Sequence, residues 1–302
     1  MRIAFVLCGD LASVSGGFLY DRQLIAGLRA AGATVDVVSL PWWRSYPQAL
    51  AANLQRWPFE PARYDVILQD QLCHAGVFAR NPRLRRGGAR VVSLVHNLTS
   101  TQPGTRVRAA VRTIERAYFG TVDGVIAVCA STLADVNALG LGRPPGSTSL
   151  IARPGGDHVT PLREAEVAQR ARKAGPLRLL MIGVVAPHKG LHRLLPVLAA
   201  TEGVHLDVAG GLETAPAYVQ QVQQAIRTQS LDARVTLHGQ LDAPALAGLR
   251  AQADVFVMPS DREAYPLAAI EGFAAGLPAL LTDQGGTAEV LAGSAAGRLL
   301  SP

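Results

Sequence analysis

The feature that most constrains this chain is an alternation that runs, stops and starts again. Short apolar runs rich in β-formers alternate with stretches whose apolar residues recur at helical spacing. Residues 1–8 (MRIAFVLC) form the first run, and Leu19, Leu24, Ile25 and Leu28 give residues 18–31 one apolar helical face. Gly32 stops that helix, and residues 34–40 read as the next strand, followed by strands at 66–69, 89–96 and 124–129. The turn-rich Arg153-Pro154-Gly155-Gly156 interrupts the pattern. It resumes with strands at 177–183, 204–209, 234–238, 254–258, 278–282 and 297–300, and helices near 190–200, 214–229, 243–252 and 266–275. Strand-then-helix repetition is the signature of a doubly wound parallel sheet, and uninterrupted apolar strands suit a sheet covered on both faces. The expected class is α/β, with two Rossmann-like lobes, 1–152 and 153–302. Ligands of such sheets bind beyond the carboxyl ends of the strands, so two facing lobes would place their sites in an interdomain cleft.

Composition narrows the partners. The chain has 302 residues, 49% of them apolar and 17% charged. No apolar run approaches the ~20 residues of a membrane-spanning helix. The run Ile3–Leu7 is broken by Asp10, which argues against a signal peptide. Cys8, Cys73 and Cys129 are far apart and odd in number, with no metal or disulfide spacing; they read as buried thiols of a reducing, cytoplasmic protein. Residues 1–152 carry a net charge of +7 and residues 153–302 a net charge of −1. No helix-turn-helix, aromatic RNA-binding box or zinc pattern turns the basic half toward nucleic acid. Pro41-Trp42-Trp43-Arg44 and the cluster Arg83, Arg85, Arg86, Arg90 suit an anionic membrane surface or a glycolipid acceptor. The plainer reading is a solvated face with two half-buried indoles.

Three segments carry candidate chemistry. In the loop Ser13-Val14-Ser15-Gly16-Gly17 the glycines let backbone amides approach a phosphate at a helix N-terminus. The full dinucleotide fingerprint G-x-G-x-x-G is absent, so a tight turn explains this loop equally well. In the corresponding loop of the second half, Lys189 stands just before a helix start at Gly190, where a cation opposes the helix dipole unless an anion lies between them. The third segment follows a strand: Pro259-Ser-Asp-Arg-Glu263 and, eight residues on, Glu271. Pro266 suits the first helical turn, which leaves Glu263 at the helix mouth and Glu271 within the helix. Carboxylates there can accept hydrogen bonds from sugar or ribose hydroxyls; their plainer role is to complement the helix dipole. His96, at a strand end, reads by itself as a satisfied structural histidine.

The last segment resembles the E-x7-E motif of retaining glycosyltransferases with the GT-B fold, family 4 in particular. Other pieces resemble that family in order along nearly the whole chain. They are the Gly16-Gly17 loop, Val91-Val-Ser-Leu-Val-His96, Ile114-Glu-Arg with Asp123-Gly-Val-Ile-Ala-Val, Arg153-Pro-Gly-Gly-Asp157, Leu237-His-Gly-Gln with Ala253-Asp-Val-Phe-Val-Met-Pro-Ser260, and Gln284-Gly-Gly-Thr-Ala-Glu289. The resemblance implies a GT-B fold and transfer of a sugar from a nucleotide-sugar donor to a saccharide, glycolipid or small-molecule acceptor. It also implies retention of configuration, with the nucleotide-sugar as co-substrate and no other cofactor. Glu263 would bind donor-sugar hydroxyls and Glu271 the nucleotide ribose. Lys189, with the Gly16 and Gly17 amides, would hold the diphosphate, and His96 would touch the donor sugar near the reacting centre. The sequence contains no D-x-D, the metal-holding motif of the other sugar-transfer fold, so no metal is expected. The other readings are a relative that binds the donor without turning it over, and a nucleotide-sugar epimerase on a similar fold.

Three departures from the family pattern stand out. Val184 occupies the place where an arginine usually follows the phosphate-loop glycine, with His188 or Arg153 as candidate substitutes. Tyr265-Pro266 replaces Phe-Gly. Relatives usually continue through several helices beyond a strand like 297–300, so the second sheet is expected to be partly bare near that strand.

Overall fold

The computed structural model describes residues 1–55, 59–102, 107–140, 146–292 and 294–301. It contains two compact units, residues 1–154 and 155–302. The first holds strands β1 (Arg2–Cys8), β2 (Thr34–Leu40), β3 (Val66–Asp70), β4 (Arg90–Val95), β5 (Gly124–Ala127) and β6 (Thr148–Ile151). They form one parallel sheet in the order β2-β1-β3-β4-β5-β6. The second holds β7 (Leu177–Ile182), β8 (Val204–Ala209), β9 (Val235–Gly239), β10 (Val255–Met258), β11 (Ala279–Thr282) and β12 (Gly297–Leu300). Its parallel order is β12-β11-β10-β7-β8-β9.

Both orders reverse direction once. In the first sheet the reversal falls between β1 and β3, in the second between β7 and β10. Loops leaving the two strands on either side of such a reversal diverge to opposite faces and open a crevice between them. The topology therefore singles out two pairs of loops before any side chain is considered. One pair follows β1 and β3, and the other follows β7 and β10.

Burial explains why the strands form where they do. From Ile3 to Cys8 every side chain of β1 is buried, as the central strand of a doubly covered sheet requires. In the second unit successive residues pack into different clusters. Leu180 joins Phe256, Met258, Ala269 and Leu281 on one face, while Met181 joins Val208, Leu191 and Val257 on the other. Both faces of β7 and β10 are thus packed, away from the strand 297–300 where a partly bare sheet is expected. Exposure near the final strand is limited to the edge strand β12, with Leu299 at 37% and Leu300 at 43%. Among the described residues no helix is long and apolar enough to cross a membrane.

Local corrections are small and physical. The helix expected from residue 18 begins at Gly16, because Ser15 caps it, its Oγ accepting from the Phe18 amide at 3.1 Å. The strand expected at 124–129 ends at Ala127, and Cys129 caps the next helix. Pro266 is the cap residue of the helix Leu267–Ala274 rather than a member of its first turn. The two adjacent indoles differ: Trp42 is 61% exposed, while Trp43 packs on the core and against Gly76, where an added Cβ would meet its ring at 2.2 Å. The cysteines are free and buried as expected, but two of them are not isolated. Cys8 Sγ and Cys73 Sγ lie 3.0 Å apart, brought together because β1 and β3 are neighbours.

Candidate functional site

At the reversal of the first sheet, the helix Gly16–Ala30 starts beyond β1. The Gly16 and Gly17 amides belong to its first turn, which has no preceding turn to accept from them. His96 follows β4 and packs over Gly17; a Cβ added there would sit 3.7 Å from the imidazole. The three candidate residues Gly16, Gly17 and His96 are thus neighbours. Two residues missed by sequence reasoning complete this corner. Asp21, fully buried on the same helix, accepts from His96 Nε2 at 2.9 Å. Asp70, the last residue of β3, accepts from the Leu72 amide at 2.9 Å. One donor-type atom from each of Asp21, Asp70 and His96 lies within 4.8 Å of the others. Such closeness also suits a cation, but Nε2 is already held by Asp21 and the imidazole balances part of the charge. The arrangement therefore reads as a hydrogen-bonded acid–base cluster.

The electrostatics follow from burial. Desolvation pushes Asp70 up to about 6, with His96 pulling against it and Asp21 adding to it. His96 is pulled down by burial, yet the Asp21 hydrogen bond and the charges of Asp21 and Asp70 outweigh this and raise it overall. The Tyr20 ring meets the imidazole edge-on at 5.4 Å, and its hydroxyl donates to the Ala152 carbonyl at 2.9 Å. Nothing in the sequence pattern distinguishes Asp21 or Asp70: an acid early in a helix is ordinary, and Asp70 ends an apolar strand.

At the reversal of the second sheet, the loops after β7 and β10 are tied to each other. The Asp261 amide donates to the His188 carbonyl at 2.8 Å, and Arg193 pairs with Asp261 at 2.5 Å. Lys189 Nζ lies 2.5 Å from Glu263 Oε1, both side chains being mostly buried. The conflict between Lys189 and the helix that follows is therefore resolved by a carboxylate of the protein itself. Glu263 is clamped in turn by the loop after β11, where the Gly286 amide donates to the Glu263 carbonyl at 2.8 Å. Beside it, the buried Ser260 hydroxyl has no partner among the described residues.

Glu271 belongs to a different network. Arg250 donates to its Oε2, and His158 Nε2 lies 2.8 Å from Oε1. The plainer expectation of a carboxylate that merely complements the helix dipole is corrected: Glu271 is buried and its two oxygens are both engaged. Arg250 and His158 were not anticipated, since they are 21 and 113 residues away in sequence. Of the two candidate substitutes for the missing arginine, His188 has its basicity lowered by burial and by the neighbouring Lys189, so it holds little positive charge near neutrality. Arg153 belongs to the other unit.

The chain matches two models of known families. Residues 163–302 match the model described as "Glycosyl transferases group 1", and residues 20–153 match "Glycosyl transferase 4-like domain". Among curated proteins it is similar to a D-inositol 3-phosphate glycosyltransferase of Arthrobacter sp. (strain FB24), 30% identical over 154 residues, which is 49% of this chain and 35% of that protein. It is also similar to a glycogen synthase of Mycobacterium tuberculosis, 31% identical over 138 residues, 45% of this chain and 33% of that protein. The matched stretch spans about a third of the length of these relatives. Among solved structures, sucrose-phosphate synthase from Thermosynechococcus elongatus superposes with a TM-score of 0.78 at 20% identity, covering 100% of this chain and 86% of that one. Anabaena HepE in complex with UDP gives 0.70 at 18%, with the same coverage. Two parallel six-stranded sheets of this order, together with matches on both halves, show that the chain has the GT-B fold and belongs to the group 1 glycosyltransferases.

Proposed function

We propose that the chain transfers a sugar from a nucleotide-sugar to an acceptor hydroxyl. The observation that carries this reading is the Lys189–Glu263 pair at the reversal of the second sheet. A cation and a carboxylate side by side match the two ends of the bond to be broken. Lys189 faces the diphosphate, where negative charge grows as the bond opens, and Glu263 accepts from the sugar hydroxyls. Fixed positive groups aimed at a developing charge are a large contribution to catalysis. In the donor complex Lys189 exchanges Glu263 for a phosphate oxygen, which frees Oε1 for the sugar. Gly16 and Gly17 contribute their first-turn amides, His96 meets the sugar, and Glu271 takes the ribose once His158 gives way. In this reading Lys189 and the amides supply the positive charge without a metal, and configuration is retained as the family resemblance implies.

The acceptor is a saccharide, glycolipid or small molecule met in the cytoplasm. Exposed Trp42 and the arginine-rich first unit favour peripheral contact with an anionic membrane.

A thermal-shift and transfer assay over a nucleotide-sugar panel tests the reading. UDP-glucose and GDP-mannose head the panel, since Anabaena HepE forms a complex with UDP-glucose and the similar alpha-mannosyltransferase of Mycolicibacterium smegmatis is GDP-mannose-dependent. One donor should raise the melting temperature of the parent. Glu263→Gln weakens a charge-assisted hydrogen bond of about 1.5–3 kcal/mol, so transfer should fall roughly tenfold or more. Because the mostly buried Lys189 loses its carboxylate partner, the melting temperature of the free protein should fall as well, and transfer is compared at a temperature where both proteins are folded. Undiminished transfer by Glu263→Gln would remove Glu263 from the site.

A further inference from the structure

Asp21 is difficult to account for as a structural residue. It is fully buried within a helix that already has its cap in Ser15. A buried carboxylate costs several kcal/mol unless its oxygens are paired. Here Oδ1 meets His96 Nε2 at 2.9 Å and Oδ2 has no partner among the described residues. The ring it holds is fixed on two further sides, by Gly17 beneath it and by the edge-on ring of Tyr20.

We propose that Asp21 is the positioning residue of this corner: bound to Nε2, it fixes the proton on that nitrogen and reserves Nδ1 of His96 for a substrate oxygen. The proposal rests on the reading that His96 meets substrate. With the proton on Nε2, neutral His96 accepts from a hydroxyl at Nδ1; once protonated, it donates there instead. A sugar hydroxyl both donates and accepts and so suits either form. The titratable groups around the imidazole are Asp21 from the helix Gly16–Ala30, Asp70 from β3 and Tyr20, whose hydroxyl is committed to Ala152. Asp70 supports the protonated form from a distance, whereas among the described residues Asp21 bonds the ring.

The experiment uses the full chain with 15N-labelled histidine. Long-range proton–nitrogen spectra between pH 5 and 9 should show His96 with its neutral-state proton on Nε2 and a midpoint above the ordinary 6.5. Asp21→Asn keeps the shape and removes the charge; the midpoint should fall, and further than in Asp70→Asn. With the donor found by the thermal-shift panel, Asp21→Asn should lower kcat on the order of tenfold to a hundredfold and leave donor KM within about twofold. A folded Asp21→Asn protein, verified by its melting curve, whose His96 keeps the parent tautomer and midpoint overturns the proposal. So does an altered midpoint with undiminished kcat. If the parent transfers no sugar, the reading of the whole site falls, and the spectra still decide what Asp21 does to His96.

Discussion

A single imidazole between two buried carboxylates sets the balance at the end of the first sheet. Asp70 carries the measurable consequence. Its folded pKa of about 6 exceeds the ordinary 3.8, so between these values the folded chain keeps a proton that the unfolded chain has lost. Stability from this group is therefore fully present below pH 4, falls as pH rises to 6, and stays reduced above it. Asp70→Asn preserves an acceptor for the Leu72 amide and removes the charge. It should raise the melting temperature at pH 8, by the equivalent of about 1–3 kcal/mol, and change it little at pH 4. A melting temperature at pH 8 equal to or below the parent's would contradict this account of the cluster. At this scale residue type and motif together singled out Lys189, Glu263 and His96, and the structure sets Lys189 against Glu263 and His96 over Gly17. Asp21, Asp70, Arg250 and His158 were not singled out, because each gains its meaning from a partner brought close only by strand order or helix packing.

Between elements, the loops at the reversal of the second sheet are held backbone to backbone. Gly190 has φ +72°, and a Cβ there would sit 2.0 Å from the Pro259 carbonyl oxygen. Gly285 has φ +73°, and its Cβ would sit 2.0 Å from the Glu263 carbonyl oxygen. These two contacts set the loops after β7, β10 and β11 at the separation that brings Lys189 to Glu263. Gly190→Ala adds a left-handed strain of about 1–2 kcal/mol to a clash with backbone that cannot step aside. Its melting temperature should fall by several degrees, and nucleotide protection from heat should fall with it. A Gly190→Ala protein with parental melting and parental nucleotide response would show that the loops are not locked in this way. The alternation of elements was readable because apolar runs and helical faces differ in period. The strand β6 was missed because Thr148, Ser149 and Leu150 are exposed and show no buried run. The true start of the helix Gly16–Ala30 was obscured by small residues, which carry no periodic signal.

Across the whole molecule, each unit has its own core and its own reversal of strand order, and the charge differs between them, +7 against −1 by sequence half. Two-fold repetition of one plan was visible in the sequence because the strand–helix pattern restarts after Arg153. A division of labour between the halves is an expectation of the motif resemblance alone, since composition distinguishes them by charge and not by ligand. The central claim is that the donor's diphosphate is bound beside Lys189. Isothermal titration of UDP and GDP onto the parent and onto Lys189→Ala tests it most directly. The account predicts saturable binding of at least one of them by the parent and a loss of about tenfold or more in affinity for Lys189→Ala, the worth of a charge-assisted contact. Parental affinity in a folded Lys189→Ala protein would contradict it and place the nucleotide elsewhere.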